Sequence, residues 1–560
     1  MTLPKTSLWP GLWVLLLAAG WLSPNHYPPW TSFHLDAWIA VVTLAGCAGL
    51  AFLPPQRSPV SGMVVMATCL LLVPGLQYVA GIVHSGGNVW ISSAYLLGFL
   101  LALLAGGRWE VFKPGQLLDC LFAAIAIAAV LSVGLQLHQW LGLERLELLT
   151  MGNGVGRPFA NFGQPNQLGT FLLWALLALL WGYVRRQIGA PVAMFAALFL
   201  LFGVALTVSR TAWVGLSLLL AAIWIWRGHW PSPRLPLAAT VLGVFFVLYA
   251  STMRWMTEVV LGSVLADHGD TARLTSESRP AIWAMFLDAI GHRPWLGYGW
   301  NQTALAQSEV SLDHSRFHVF FSSAHNLFLD LVIWCGIPLG LAIAGWLCWW
   351  SWTRLRLVAN AENAVVLLFL LVVANHAMLE LPLQHAYLLL PVGLVIGALD
   401  VRLGLRPLAL VGRSTLLVLW LAGAGLLGLI IRDYSRIEPA YETLRYEWAN
   451  IKTQLAQPPD VWVLTQWRDF VQLVRFEPRA GMSEKELQWM REVVPMYPSS
   501  GFFMKLARSL AMNGRPDEAE MWLRRMCPVV TKAQCELVER VWVDMATRDA
   551  AMATVKWPRQ

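Results

Sequence analysis

Runs of about 20 apolar residues return along most of this chain, and a helix of that length crosses the hydrocarbon core of a bilayer. Lipid offers nothing to hydrogen-bond a peptide group, so each such run is expected to satisfy its backbone internally, as a helix. The runs fall near 8–23, 37–53, 60–82, 90–106, 117–139, 168–184, 189–207, 211–226, 236–251, 326–350, 364–380, 386–400 and 415–431. The expected fold is therefore an all-α polytopic membrane protein with about thirteen transmembrane helices. Composition agrees: 57% of the 560 residues are hydrophobic and 13% charged, against about 25% charged in an ordinary soluble domain. The 31 tryptophans suit the lipid–water interface, which indole rings favour.

Basic residues give the orientation. Lys5, Arg57, Arg108 and Lys113, Arg185 and Arg186, Arg227 and Arg234, Arg354 and Arg356, and Arg402, Arg406 and Arg413 fall in alternate loops. By the positive-inside rule those loops are cytoplasmic. The loop 252–324 and the segment 432–560 then lie outside, which in a Gram-negative cell is the periplasm. The expected organisation is a transmembrane domain over 1–431, with 252–324 as a large periplasmic loop, and a periplasmic helical domain over 432–560. Within the latter, "FFMKLARSLAMNGRPDEAEMWLRRM" (502–526) predicts two short helices around a tight turn, a tetratricopeptide-like unit. Cys527 and Cys535 share that compartment, where a disulfide is chemically allowed.

Several function classes lack their residues. The net charge of +7 is spread over short loops, with no basic and aromatic block for nucleic acid. The seven cysteines form no CxxC pair and no zinc spacing. No Walker loop, Rossmann glycine pattern or HExxH occurs, which argues against ATP, nicotinamide and zinc-protease chemistry. "DHGD" (267–270) is a weak candidate for a divalent cation. The N-terminal apolar run lacks a small-x-small cleavage site and is expected to remain as the first helix.

Polar residues gather instead at the outer face. "MGNGVGRPFANFGQPNQLGT" (151–170) has too much glycine and proline for a regular helix. It carries Arg157, Asn161, Gln164, Asn166 and Gln167 directly into a span. Irregular backbone at that depth is tolerated where it is buried in protein or lines a wet cavity. "TVSRTAW" (207–213) supplies Arg210, and the large loop supplies Arg279 at the start of an amphipathic helix. Two guanidiniums on one face suit a phosphate or pyrophosphate, which they grip bidentately. His325 stands where the loop re-enters the membrane, with Asp330 about one turn further on. In "NHAMLELPLQHAYLLLPVG" (375–393), His376 and Glu380 are spaced i, i+4, Glu380 suits a brace for an arginine, and Tyr387 opens the next helix.

Taken together, "GRPFANFGQPNQLG", "SRTAW", "SRPAIWAMFLDAIGHRPWLGYGW" and "SSAHNLFLDLVIWCGIPLG" resemble the bacterial O-antigen ligase superfamily. The early outer loop "LSPNHYPPWTSFHLD" (22–36) and the long C-terminal segment are most similar to its PglL-type protein O-oligosaccharyltransferases. The resemblance implies en bloc transfer of an oligosaccharide from undecaprenyl pyrophosphate to a Ser or Thr of pilin or another exported protein. Transfer would occur at the periplasmic face of the inner membrane, with membrane lipids around it and without nucleotide sugar, metal or other cofactor. The family's essential histidine matches His325 and its arginines match Arg210 and Arg279. Its glutamine matches Gln164 or Gln167, and its tyrosine matches Tyr387.

The residues fit that chemistry. Breaking the bond from anomeric carbon to phosphate oxygen builds negative charge on the leaving pyrophosphate, where Arg210 and Arg279 count most. A neutral imidazole at His325 can take the acceptor hydroxyl's proton. Arg157, Asn161 and the amides through Gln167 would hold the pyrophosphate or first sugar. Rival readings are an O-antigen ligase acting on lipid A core and a Wzy-type polymerase. A lipid-linked glycan transporter and a bare membrane anchor are the non-enzymatic ones.

Overall fold

The computed structural model describes residues 9–51, 57–143, 145–150, 157–261, 279–449, 451 and 457–558. Lys5, the first glycines of 151–156, Ser278 and the "DHGD" candidate lie outside these residues. Apart from one two-stranded ribbon, the described regular structure is helical.

The helices are α1 (Trp9–Trp21), α2 (Phe33–Ala51), α3 (Gly62–Val79), α4 (Gly86–Phe112), α5 (Gln116–Trp140), α6 (Pro165–Val184) and α7 (Ala190–Leu206). They continue as α8 (Arg210–Ile225), α9 (Leu235–Leu261), α10 (Arg279–His292), α11 (Thr303–Val310), α12 (Leu327–Leu355), α13 (Ala361–Ala377) and α14 (Ala386–Arg402). After α15 (Arg413–Trp448) come α16 (Thr465–Arg475), α17 (Glu484–Val493), α18 (Ser500–Met512), α19 (Pro516–Met526), α20 (Lys532–Arg548) and α21 (Ala550–Ala553). Among the described residues seven helices, α3, α4, α5, α6, α9, α12 and α15, include stretches long and apolar enough to cross a membrane. Shorter apolar helices include α1, α2, α7, α8 and α13. The chain is a multi-pass helical membrane protein.

Two compact units form. The first takes in Met1–Leu71, Ala94–Leu274 and Leu347–Gly428, the second Leu72–Ser93, Thr275–Trp346 and Leu429–Gln560. In the first, α5 packs on α1, α6 and α7, and α6 packs on α8 and α13. Trp174 of α6 stacks on Phe369 of α13 with ring centroids 4.0 Å apart, and its indole N–H donates to the Phe369 carbonyl. Helices α4 and α14 approach backbone to backbone: a Cβ on Gly106 would run into the Leu394 carbonyl, and one on Gly397 into the Leu103 carbonyl. Small residues allow such contact where apolar surface alone gives lipid-facing helices no reason to associate. Strand β1 (Arg57–Val60) pairs antiparallel with β2 (Ala409–Gly412), Arg57 opposite Gly412.

The same unit buries charge. Arg402 pairs with Glu110 at 2.8 Å and also with Glu362. Arg185 bridges Glu362 and Asp119, each at 3.2 Å. Arg354 meets Asp400 at 3.0 Å, both almost wholly covered. Ionisable groups inside a membrane domain are costly unless paired in this way.

In the second unit α12 is not the single unbroken span its sequence predicts. Gly336 adopts φ 78°, ψ 171° inside it, and the loop 293–301 fills the break. Tyr298 and Gly299 N–H donate to the carbonyls of Ile333 and Trp334 at 2.8 and 3.1 Å, and Ile337 N–H donates to Pro294 O at 2.7 Å. Gln77 completes the joint, donating to Trp334 O and accepting from Trp300 N–H, each at 2.8 Å. A side chain at Gly336 would strike the Trp295 carbonyl, so glycine is required twice, for the dihedral and for the room.

Helix α15 runs 36 residues without interruption, so the boundary expected at 431/432 falls inside it. Asp433 on this helix accepts from the N–H groups of Trp462, Val463 and Leu464 at 2.7–3.0 Å. Beyond, α18 and α19 form the expected hairpin around Asn513–Arg515, sharing a core of Phe503, Leu506, Leu510, Trp522 and Leu523 with Trp542 of α20. Arg491 of α17 clamps Glu518 of α19 with bonds of 2.6 and 2.9 Å. Cys527 and Cys535 are joined as a disulfide, which the sequence left open.

Candidate active site

Most of the site residues expected from the sequence fall into two polar clusters, one in the first unit and one in the second. In the first unit the irregular run stops at Gln164, and Pro165 opens α6, a position where its missing N–H costs nothing. That places Gln164, Asn166, Gln167 and Thr170 at the mouth of α6. The chain between α13 and α14 brings His376, Glu380, His385 and Tyr387, and the α7–α8 turn brings Ser209 and Arg210.

Glu380 is the hub. It accepts from Gln164 Nε2 at 2.9 Å, from Asn166 Nδ2, and from His376 Nε2 at 3.3 Å. Nδ1 of His376 lies 2.8 Å from the Thr170 hydroxyl, so a neutral ring that accepts from Thr170 and donates to Glu380 satisfies both contacts. The Asn166 carbonyl accepts from Ser209 Oγ at 2.6 Å and from an Arg157 Nη at 3.4 Å, while Arg157 Nε donates to Thr207 O at 3.0 Å. Burial lowers the Arg157 pKa, the charge of Glu380 opposes that, and the charge of Arg210 adds to it. One acidic and two basic groups therefore share this mouth. Arg210 is exposed as the first residue of α8, whose N-cap is Ser209. Val208 just before it has φ 47°, an uncommon conformation for a β-branched residue.

Beside the hub, the Tyr387 hydroxyl donates to Gln167 Oε1, and Gln167 Nε2 lies 2.7 Å from His385 Nε2. Tyr387 is held in turn by Asp36, which accepts its backbone N–H at 3.1 Å, and by Trp21, whose indole donates to its carbonyl at 3.1 Å. Asn161 faces inward. It donates to Trp21 O and Ser23 O at 2.7 and 3.1 Å, accepts from Ser132 at 3.2 Å, and is fully buried. The same tie holds the 22–36 loop, where Asn25 donates to Phe162 O at 2.7 Å.

The cluster of the second unit surrounds His325. Asp330 in the first turn of α12 is 1% exposed and turns its carboxylate back on the preceding loop. It accepts from Ser323 Oγ at 2.6 Å, Ala324 N–H at 2.9 Å and Thr303 Oγ1 at 3.2 Å. His325 N–H donates to Ser323 Oγ at 2.8 Å, and Asn326 accepts the N–H groups of Phe328 and Leu329. Of the two roles its sequence position allows, orienting a neighbour or pairing with an arginine, Asp330 orients, through neutral donors. His325 itself has φ 54°, a strained conformation that its surroundings over-determine. From α10, which Arg279 begins, Trp283 donates to Ala324 O at 3.0 Å.

Sequence reasoning missed several members. Asp36, His385, Thr170 and Ser209 are ordinary polar residues at helix ends, and nothing local marks them. His292 and His314 acquire partners from the fold, Glu309 at 3.6 Å and Asp288 at 2.9 Å. Among the described residues no group of three or more His, Cys, Asp or Glu forms a metal site.

The two clusters separately hold the guanidinium, amide and imidazole groups that the resemblance implied, and it is similarity to known proteins that defines the class, the glycosyltransferases of the O-antigen ligase kind. Residues 195–344 match the O-antigen ligase family, 158–181 the protein glycosylation ligase family, and 364–540 the C-terminal part of the virulence-factor membrane-bound polymerases. The general O-oligosaccharyltransferase of Acinetobacter baylyi is 30% identical over 525 residues, 91% of this chain and 90% of that protein. The ComP-specific O-oligosaccharyltransferase of the same organism is 27% identical over 330 residues, 58% of each chain. This chain belongs to the PglL-type bacterial protein O-oligosaccharyltransferases and is a glycosyltransferase.

Proposed function

We propose that the protein transfers an oligosaccharide en bloc from undecaprenyl pyrophosphate to a Ser or Thr hydroxyl of pilin or another exported protein, at the periplasmic face of the inner membrane. The observation that carries this reading is similarity over nine-tenths of both chains to a general O-oligosaccharyltransferase. About thirteen spans, with 432–560 as a periplasmic helical domain, complete the arrangement. Pairing of β1 with β2, which ties two loops assigned to the cytoplasm by their arginines, supports that topology.

His325 acts as general base. It takes the proton of the acceptor hydroxyl as that oxygen attacks the anomeric carbon and undecaprenyl pyrophosphate departs. Asp330 fixes its loop. Arg210, Arg279 and Arg157 stabilise the charge that grows on the leaving pyrophosphate. Glu380 orients Gln164 and Asn166, and Gln167 with Tyr387 forms a rigid wall of the sugar site. Asn161 braces the loop from within. A single displacement inverts the anomeric centre.

The test is intact-protein mass spectrometry of a pilin co-expressed with this chain in a host that supplies undecaprenyl-linked glycan and lacks its own ligase. A glycan-sized mass increment, lost in His325→Ala at equal membrane expression, is the expected result. An unmodified pilin beside newly capped lipopolysaccharide would move the acceptor to lipid A core. Extended glycan chains on the lipid carrier would favour a polymerase, the reading that the match over 364–540 makes the principal alternative.

A further inference from the structure

We infer that His318 is a positioning residue for His325, and that the disulfide-closed loop 527–535 is the anchor it holds. The inference rests on the reading of His325 as the base.

The chain from Leu312 to Asn326 has no regular structure, so its peptide groups need partners from elsewhere. Side chains supply several: Gln307 of α11 donates to Val319 O and accepts from Phe321 N–H, at 2.9 and 2.8 Å. Asp330 and Trp283 hold residues 323 and 324. At 318 the arrangement reverses, and the loop reaches out. His318 N–H donates to Pro528 O at 3.0 Å, and its Nδ1 lies 3.1 Å from Val530 O. A carbonyl only accepts, so Nδ1 carries the proton. His318 makes both bonds from φ 54°, a left-handed conformation that glycine or asparagine would adopt at less cost.

The anchor is stiff. Val529 and Val530 are buried in the C-terminal core, and Cys527 is bonded to Cys535. Thr531 then starts α20 with a reciprocal capping box to Gln534. A displacement at 318 also has a route to the base. The rings of Phe317 and Phe321 meet edge to face at 5.5 Å, and those of Phe321 and His325 at 6.2 Å. A misplacement of about 1 Å in a reacting group can cost on the order of 100-fold in rate. His325 is also held directly by Ser323, so loss of the anchor is expected to cost about tenfold, the lower part of that range.

The experiment uses the purified full chain, undecaprenyl pyrophosphate-linked oligosaccharide and pilin, with initial rates measured against donor concentration. Asparagine matches the reach of Nδ1 and can donate, whereas aspartate has the same shape and cannot. His318→Asp is expected to lower kcat about tenfold with donor KM within about twofold, and His318→Asn to recover most of the loss. Cys527→Ser with Cys535→Ser should give a similar loss, and combining it with His318→Asp should cost little more, because the two act on one link. Equal defects in the Asn and Asp variants, a normal rate in His318→Asp, or additive losses would each overturn the inference. His318→Phe with thermal unfolding of the detergent-solubilised protein separates a folding defect from a kinetic one. Full activity in His325→Ala would instead overturn the underlying reading of the base.

Discussion

The two polar clusters are built on opposite plans. Around Glu380, side chain meets side chain: carboxylate, amides, imidazole, hydroxyl and guanidinium form a continuous chain of donors and acceptors. Around Asp330, side chains hold backbone: one buried carboxylate fixes the main chain and the serine on which His325 rests. A site that must hold a diffuse charge can be assembled from many exchangeable contacts. A site that must place one nitrogen needs a rigid main chain. The difference predicts steep losses from single changes at the second cluster and graded ones at the first.

The sharpest way to break that contrast is His325→Ala, for which transfer should fall by about 10³-fold or more if the ring moves the proton. A loss no greater than those at the amide cluster would remove the distinction. Asp330→Ala comes next. It strands three donors at a buried site, so a rate loss on the order of 100-fold and a lowered unfolding temperature are expected, with Asp330→Asn intermediate. In the first cluster Glu380→Gln keeps the shape but turns an N–H toward one of three donors. Donor KM should rise about tenfold, with kcat changed less. Tyr387→Phe removes one hydrogen bond worth about 1 kcal/mol and should cost only about fivefold. A larger loss than that of Glu380→Gln would show that the aromatic wall, not the acidic hub, carries donor recognition.

The smallest effect lies away from both clusters. The hydrogen bonds from Arg491 hold Glu518 below the usual glutamate range. A carboxylate with a depressed folded pKa adds stability above its ordinary value of about 4.3 and loses it as pH falls through the folded one. The stability of the C-terminal helices to thermal unfolding should therefore fall below about pH 4, and Glu518→Gln should flatten that dependence by at most about 1 kcal/mol.

Much of this was legible in the sequence, and for identifiable reasons. Apolar runs and arginine-bearing loops mark helices because lipid enforces both. The hairpin at 502–526 was visible because its turn chemistry is local. Gln164, Gln167, Glu380 and Tyr387 stood out as polar residues beside proline and glycine at span ends. The hub itself was hidden, since its members come from three separate stretches of chain. Glu380, expected to brace an arginine, takes two amides and an imidazole, a distribution that only the fold decides. The break at Gly336 was missed because "IWCGIPLG" keeps its hydrophobic run through the kink. Asp36 gave no sign of holding Tyr387 across 351 positions of chain.

The ion pairs of the first unit bear on how the protein is made. Asp119 and Arg185 lie 66 residues apart and can meet soon after both helices emerge from the ribosome. Glu110 receives Arg402 only 292 residues later, nearly a quarter of a minute of synthesis even at about 20 residues per second. For that interval α4 carries, at its end between Arg108 and Lys113, a carboxylate whose partner does not yet exist and which water must solvate. Closure of that end of the helix packing should therefore be a late event, completed only when α14 arrives. Fragments that end before Arg402 should leave the Glu110 end of α4 open to water and to added protease.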